Sequence, residues 1–251
     1  MIQHQHSDTV VPSSKRDDEA FARLEFLVRQ PFGCGVIAGP SGCGKSDLLR
    51  ACHDRVRRST AANCLIDATA LDDVELAWEL GAAFGLGLSA SDSDRQILRS
   101  VRSHLAGMRE SSRHTVLLVD NADRLESSGR SLFVRLIDEA EGRSGLTVIW
   151  TARTPFSSAL RDDLLPRTLL RIDREPLTPK ETEAHLRDEH GVARPGQPRF
   201  DPDALRLVQE QTGGALRSIS RLSRVSRLAA EADGQMSVSA ETIRAAADEL
   251  P

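Results

Sequence analysis

The stretch GPSGCGKS, residues 39–46, decides the fold class. Its three glycines let a short loop curl so that backbone N–H groups point inward at phosphate oxygens. An apolar run at residues 34–38 precedes the loop, and the helical pattern KSDLLRACHDRV follows it at residues 45–56. A match to G-x-x-x-x-G-K-[ST] between a strand and a helix is typical of a phosphate-binding loop, and a chance glycine-rich turn is the weaker alternative.

Two side chains of this loop carry the expected chemistry. Lys45 is one of only three lysines in a chain with thirty arginines, so its presence invites a specific reason. Its ammonium would reach the β- and γ-phosphates of ATP, and the Ser46 hydroxyl would ligate Mg²⁺. We therefore expect ATP and Mg²⁺ as cofactors. The residues predicted to bind the nucleotide are Gly39, Pro40, Ser41, Gly42, Cys43, Gly44, Lys45, Ser46 and Asp47.

The cysteines are expected to be reduced thiols. The four of them, Cys34, Cys43, Cys52 and Cys64, show no paired metal-ligand spacing. Cys43 lies inside the loop, and we expect it to be a filler position whose side chain points away. The alternative is that oxidation or alkylation of its thiol blocks ATP binding.

Composition predicts an ordinary water-soluble protein. The 251 residues are 39% hydrophobic and carry a net charge of −4, which allows one sizeable core, or a core with a small satellite domain. No apolar run approaches the roughly 18 residues that a membrane-spanning helix needs, so we expect no direct membrane insertion. Residues 1–18 lack the apolar stretch of a secretory signal, and a cytoplasmic location is expected.

The order of apolar runs predicts an α/β protein. Short apolar runs alternate with helical patterns, which favours a five-stranded parallel sheet between two helical layers, an αβα sandwich. After about Glu175 only four helical patterns follow, which predicts a small all-α lid. We predict a flexible arm at residues 1–17, a nucleotide-binding domain at 18–174 and a helical lid at 175–251. The predicted strands are residues 34–39, 63–68, 115–120, 146–152 and 168–172.

The strand TVLLVD ends at Asp120, which we expect to hold Mg²⁺ through water, beside Ser46. ATP-hydrolysing machines usually carry Glu at the next position, but this chain has Asn121. An amide can orient a water molecule but cannot accept its proton at neutral pH. Because a general base contributes about 10²–10⁴-fold in rate, we expect slow hydrolysis with intact binding. Two alternatives stay open: Asp123 substitutes if the loop turns it inward, or Asn121 suffices through positioning alone.

Taken together, these motifs resemble those of the AAA+ ATPases. The narrower resemblance is to the ExeA/GspA-type general secretion pathway ATPases and the TniB/MuB-type transposition-helper ATPases. It rests on LLVDNADRL, LTVIWTART, LLPRTLLRIDREPLTPKETEAHL, GGALR and VSAETIRAAADEL, together with the loop. The resemblance implies a P-loop NTPase of AAA+ type that works as a homo-oligomer on a protein partner or on DNA.

The resemblance also implies roles for particular residues. Arg217, in GGALR, matches the lid arginine called sensor 2, and Arg167, in LLPRTLL, matches the arginine finger that acts on a neighbouring subunit. Arg161 is the alternative finger. The sensor 1 position falls within TART, where Thr151 or Arg153 fits. We count Asp120, Asn121, Arg167 and Arg217 as the candidate catalytic residues.

An arginine stripe bears on the partner. Arg217, Arg221, Arg224 and Arg227 share one face of a predicted helix, which would suit contact with the DNA backbone. Because the chain is acidic overall and no aromatic residue is interleaved, we favour a solvated lid face.

Two functions remain open: an ATPase that couples slow hydrolysis to assembly and remodelling, and a nucleotide-gated switch with little turnover that assists transposition or secretion. A small-molecule kinase is a weaker third.

Overall fold

The computed structural model describes residues 15–30, 32–57, 62–140, 145–191 and 198–250. The chain divides into two compact units, one of them Glu19–Glu175 and the other containing Pro176–Pro251. Most of the arm predicted at residues 1–17 lies outside the described residues, and the first helix begins at Lys15. The predicted domains, residues 18–174 and 175–251, stay predictions.

The first unit contains a five-stranded parallel sheet with the strand order β2-β3-β4-β1-β5. The predicted αβα sandwich is confirmed, and each predicted strand overlaps an observed one. The strands are β1 (Phe32–Gly39), β2 (Ala62–Asp67), β3 (Thr115–Asp120), β4 (Leu146–Arg153) and β5 (Leu170–Asp173). The helices are α1 (Lys15–Val28), α2 (Lys45–Val56), α3 (Asp73–Ala83), α4 (Asp94–Glu110), α5 (Ser127–Ala140) and α6 (Ser158–Asp163), with 3₁₀ turns at Ala122–Arg124 and Leu165–Arg167.

The central strands are apolar because both faces of the sheet are covered. β3 is buried along its whole length, which is typical of a parallel strand between two helical layers. Successive residues of β4 face opposite cores: Trp150 packs with Phe133 on one side of the sheet, and Ile149 packs on the other. This alternation fixes the register, since a shift of one residue would exchange the two faces.

Parallel pairing brings the carboxyl ends of the strands to one edge of the sheet. The register places Asp67 opposite Asp120 and Gly39 opposite Arg153. Residues distant in sequence therefore meet where strands give way to loops. In open α/β sheets this edge is where ligands bind.

The second unit has its own apolar core, and its described residues form four helices, as predicted: α7 (Pro179–Gly191), α8 (Pro202–Thr212), α9 (Leu216–Ala232) and α10 (Ala240–Asp248). A capping box begins α7, where Thr178 N–H donates to Glu181 and Glu181 N–H donates back to the Thr178 hydroxyl.

One feature of this unit departs from the all-α expectation. The two-residue strands β6 (Arg199–Phe200) and β7 (Ser237–Val238) pair in parallel. Such short strands carry no periodic pattern, but Phe200 and Val238 anchor them in the core. Within the described part of the chain, no helix combines the length and apolar character needed to cross a bilayer.

Candidate nucleotide site

The loop between β1 and α2 needs glycine at two positions for different reasons. Gly39 has φ +155°, and a Cβ there would lie 2.1 Å from the Arg174 carbonyl oxygen. Gly44 has φ +83° and precedes the first helical residue of α2, Lys45. The close approach at Gly39 and the left-handed backbone at Gly44 give the loop its tight curl, as the sequence predicted.

The Lys45 ammonium lies inside this curl. Its Nζ donates to the Gly39 carbonyl at 2.9 Å and to the Pro40 carbonyl at 2.7 Å, and the residue is 8% exposed. Burial lowers its pKa, although the negative charges of Asp123 and Asp120 act in the opposite direction. No carboxylate of the described residues lies within ion-pair distance of Nζ. A buried cation that donates to two backbone carbonyls and has no carboxylate partner in the described part of the chain suits an incoming anion.

Cys43 does not point away from the loop, which corrects the sequence-based expectation. The residue is buried, its thiol donates to the Pro40 carbonyl at 2.9 Å, and Sγ lies 4.0 Å from Lys45 Nζ. The reason is Gly39: a Cβ at that position would lie 2.9 Å from Sγ, so its absence leaves room for sulfur. The four cysteines are buried and form no disulfide among the described residues.

The two predicted metal ligands meet. Ser46 Oγ, in the first turn of α2, donates to Asp120 Oδ1, at the end of β3, over 3.0 Å. A hydroxyl and a carboxylate in contact fit one Mg²⁺, which usually takes one or two protein ligands and completes its shell with water and phosphate. No cluster of three or more His, Cys, Asp or Glu suited to a metal occurs among the described residues. The donor set therefore fits Mg²⁺ delivered with a nucleotide.

Thr151 completes the surroundings of Asp120. Its hydroxyl donates to Asp120 Oδ1 at 2.5 Å and accepts from the Asn121 N–H at 2.9 Å, and Thr151 is fully buried. Arg153, the other candidate for sensor 1, pairs with Asp123 instead. Of the two residues that the sequence left open, Thr151 is the one in contact with the predicted metal ligand.

Asn121 is held by a carboxylate that the sequence analysis missed. Its Nδ2 donates to Asp67 Oδ1 at 3.0 Å, and the Asn121 backbone is left-handed with φ +55°. Asp67 also accepts from the N–H of Thr69 at 3.1 Å and from its hydroxyl at 2.7 Å. The strand NCLID ends in an Asp just as β3 does, and that shared pattern was the signal available in the sequence.

The electrostatics of Asp67 favour its ionised form. Burial acts to raise its pKa, but the hydrogen bonds from Asn121 and Thr69, together with the charge of Arg124, outweigh burial and hold the pKa below the ordinary value. At neutral pH this side chain is an acceptor only.

Asp123 is turned inward but is already neutralised. Its Oδ2 receives the Arg153 Nε–H at 2.8 Å, and its side chain is only 9% exposed. Its other oxygen, Oδ1, is buried without a hydrogen-bond partner among the described residues. Asp123 could accept a proton from water only at the expense of this ion pair.

The two candidate arginine fingers differ in their surroundings. Arg167 makes a two-pronged ion pair with Asp138 and also donates to the Asp163 carbonyl. The side-chain hydrogen bond from Arg167 is the main cause that lowers the pKa of the Asp138 carboxyl. Arg161, on α6, is exposed, and no side-chain partner is found for it in the described ranges. The structure therefore engages Arg167 within its own chain.

The remaining predicted residues lie on surfaces. Asp47 is exposed on α2 and pairs with Arg50 at 3.1 Å. Arg217 is exposed at the start of α9, in the second unit, and its sensor 2 role stays a prediction. Arg221 and Arg224 are exposed on the same helix, as in the predicted stripe. Arg227 differs, because its guanidinium lies over the Phe200 ring at 5.3 Å.

Comparison with known proteins identifies the family. The family model described as "AAA domain" matches residues 28–160, more than half of the chain. A search of curated proteins finds no match. The structure is similar to Cdc6p from Pyrobaculum aerophilum, at 19% identity and a TM-score of 0.76, covering 97% of this chain and 69% of that one.

Two Aeropyrum pernix structures are also similar. The first is the ORC2 protein in ADPNP–ADP complexes, at 17% identity and a TM-score of 0.71, covering 97% of this chain and 70% of that one. The second is the ORC1 protein in complex with DNA, at 19% identity and a TM-score of 0.72, covering 96% and 67%. At these identities the likeness shows the fold. Together with the family match, it shows that this chain belongs to the AAA domain family and has the fold of the AAA+ ATPases.

Proposed function

We propose that this chain binds ATP with Mg²⁺ and hydrolyses it slowly, coupling hydrolysis to oligomer assembly and to remodelling of a protein partner or DNA. The observation that carries the proposal is the contact between Ser46 Oγ and Asp120 Oδ1 beside the buried Lys45 ammonium. A hydroxyl–carboxylate pair that suits a metal ion and a buried cation that suits an anion lie together at the edge of the sheet, which supports a Mg²⁺–triphosphate as the ligand.

Binding follows from the loop. The N–H groups of the loop and of the first turn of α2 would donate to phosphate oxygens, helped by the positive end of the helix. Lys45 would exchange carbonyl acceptors for phosphate oxygens, a stronger, charge-assisted hydrogen bond. Ser46 and Asp120 would hold Mg²⁺, which neutralises charge on the phosphates when bound.

Slow turnover follows from the carboxylates near the site. Asp120 is committed to the metal, Asp123 is paired with Arg153, and Asn121 cannot take a proton. Asp67 is occupied by Asn121 and Thr69. We therefore expect none of these described side chains to act as the general base that contributes about 10²–10⁴-fold in rate.

Assembly is proposed from the arginines. A finger stabilises charge in another subunit's site, so it requires a homo-oligomer. Arg161 is exposed and suits this role as it stands, whereas Arg167 would first have to leave Asp138. The narrower resemblance to secretion and transposition-helper ATPases, and the sensor 2 role of Arg217, belong to the same proposal.

The second candidate function is a nucleotide-gated switch with little turnover, assisting transposition or secretion. Asn121 favours it, because this chain has an amide where ATP-hydrolysing machines usually carry the Glu that acts as general base, while the residues proposed to bind ATP are present. DNA as a partner draws its support from the fold shared with a protein seen in complex with DNA. The exposed Arg217, Arg221 and Arg224 would be available to its phosphates, although we favour a solvated face for them.

Calorimetry with Mg²⁺–ATP, paired with a phosphate-release assay, tests the proposal. The wild type should bind at one site per chain and turn over slowly. Lys45→Ala should lose binding, while Lys180→Ala, an exposed lysine of the second unit, should behave as wild type. ATP uptake that survives Lys45→Ala would contradict the assigned site, and fast turnover by the wild type alone would contradict the slow mechanism.

A further inference from the structure

We propose that Asp67 is a positioning residue that fixes the Asn121 amide so that Asn121 Oδ1 accepts a hydrogen bond from the water that attacks the γ-phosphate. This inference rests on the proposed function and deepens it. It answers how a site without the usual Glu still orients its water.

The orientation of the amide follows from the chemistry of the contact. An ionised carboxylate can only accept hydrogen bonds, so the group of Asn121 that meets Asp67 Oδ1 at 3.0 Å must be its NH₂. Because the amide is planar and its NH₂ faces Asp67, its carbonyl oxygen Oδ1 is directed away from Asp67. No partner of Asn121 Oδ1 occurs among the described residues, so this acceptor is available to water.

Both members of the pair are held in place. Two further hydrogen bonds from Thr69 anchor the same oxygen of Asp67 that Asn121 contacts. The Asn121 backbone N–H is fixed by Thr151 Oγ1 at 2.9 Å and by Asp120 Oδ1 at 3.1 Å. The amide is therefore joined at its backbone to the metal ligand and at its side chain to the neighbouring strand. Supporting contacts of this kind maintain the geometry that a reacting water needs.

The left-handed backbone explains why this position suits Asn. Asn121 has φ +55°, a region in which Asn is enriched and longer side chains are rare. Glu at the same place would have a carboxylate opposite the Asp67 carboxylate. Two like charges in contact disfavour each other, so Glu at position 121 needs a donor at position 67.

The step balances without a protein base. The water oxygen bonds to the γ-phosphorus, the bond from that phosphorus to the β–γ bridging oxygen breaks, and ADP leaves with the electron pair. One water proton stays on the attacking oxygen, and the other passes to an oxygen of the released phosphate. Asn121 orients the water throughout and takes no proton.

A double-mutant cycle tests the inference, with Asp67→Asn, Asn121→Glu and the double variant. Asp67→Asn removes the fixed acceptor, and the amide can then turn either way. We expect turnover to fall about 10-fold or more while the Kd for Mg²⁺–ATP changes less than about 3-fold, since displaced positioning groups cost rate more than affinity. Asp162→Asn, an exposed Asp of the same unit, is the matched control and should match wild type.

The double variant supplies the rescue. With Asn at 67 donating to Glu at 121, the hydrogen bond is kept with its polarity reversed, and a carboxylate faces the water. We expect the double variant to exceed Asn121→Glu alone by about 10-fold or more, up to the 10²–10⁴-fold that a general base contributes. Thermal unfolding of each variant confirms that the folded protein is being compared.

Two results would overturn the inference: wild-type turnover in Asp67→Asn, or a double variant no faster than Asn121→Glu. If turnover of the wild type is too slow to detect, the inference is tested by comparing the turnover of the double variant with that of Asn121→Glu. Calorimetry of the wild type distinguishes failure of the proposed function from failure of this inference. If the proposed function fails, the wild type does not bind Mg²⁺–ATP.

Discussion

The Ser46 hydroxyl and the Asp120 carboxylate lie 3.0 Å apart although 74 positions separate them in the sequence. The contact joins the first turn of α2 to the end of β3, and Thr151 shares the same carboxylate oxygen. This hydroxyl and carboxylate fit one Mg²⁺, so we predict that the site depends on magnesium.

Removing the Asp120 charge should abolish that dependence. We expect Asp120→Asn to lower turnover by about 10²-fold or more, because the residue loses a metal ligand that neutralises phosphate charge. ATP affinity measured in excess EDTA should equal that of the wild type in EDTA. Turnover that stays magnesium-dependent at the wild-type level would show that another residue holds the ion.

Gly39 should tolerate no side chain. A Cβ at Gly39 would lie 2.1 Å from the Arg174 carbonyl, whereas a Cβ at Gly85, also at positive φ, would have nothing within 4 Å. We expect Gly85→Ala to cost about 1–2 kcal/mol from backbone strain alone and Gly39→Ala to cost more, with loss of nucleotide binding. Denaturant unfolding measures both. Equal destabilisation would mean that the loop yields easily at Gly39.

The ion pair of Arg167 with Asp138 predicts a stability role. Arg167→Ala should lower the free energy of unfolding and leave the nucleotide affinity unchanged, whereas Arg161→Ala should lower turnover at constant stability if Arg161 is the finger. Thermal unfolding and phosphate release separate the two roles. If Arg167→Ala lowers turnover at unchanged stability and Arg161→Ala does not, Arg167 is the arginine finger instead.

The same pair predicts a pH dependence. The folded state holds the Asp138 pKa below its ordinary value of 3.8, so the carboxylate contributes stability above that value. That contribution is lost as the pH falls through the lowered pKa of the folded state. Unfolding free energies of wild type and Asp138→Asn should therefore differ at pH 6 and converge in acid. A difference in unfolding free energy between the two proteins that grows as the pH falls would contradict this prediction.

We expect that two exposed arginines of α9, Arg221 and Arg224, do not contact DNA. If Arg221 and Arg224 form a solvated face, replacing both by Ala should leave Mg²⁺–ATP binding and any DNA retention unchanged. If they contact phosphates instead, the dependence of DNA binding on salt should weaken by about one counterion per arginine. Filter retention over a salt series distinguishes the outcomes, and an ATP-dependent retention lost in the variant would overturn the solvated face.

The sequence was informative wherever a pattern is local. The loop glycines, the apolar strands and the capping box at Thr178 are short-range features whose physics is complete within a few residues. The order of the strands in the sheet could not be predicted from such local patterns. The alternation of strands and helices was nevertheless enough to predict a parallel sheet.

Apart from Ser46 and Asp120, which known motifs place together, the partners of individual side chains could not be predicted from the sequence. Asp67 meets Asn121 because β2 and β3 pair in register; the Asp that ends each strand hints that the two ends are alike, but not which side chains touch. The ion pair of Arg167 with Asp138 joins a 3₁₀ turn to α5, and the position of the Cys43 thiol depends on the missing Cβ of Gly39. These are tertiary contacts, which local patterns do not encode.

Titration calorimetry of the folded wild type with ATP and magnesium tests the central claim most directly. The account predicts one site per chain, weakened by EDTA and removed by Lys45→Ala. If neither ATP nor ADP produces binding heat at several temperatures, while circular dichroism shows the protein folded, the nucleotide site does not exist as described.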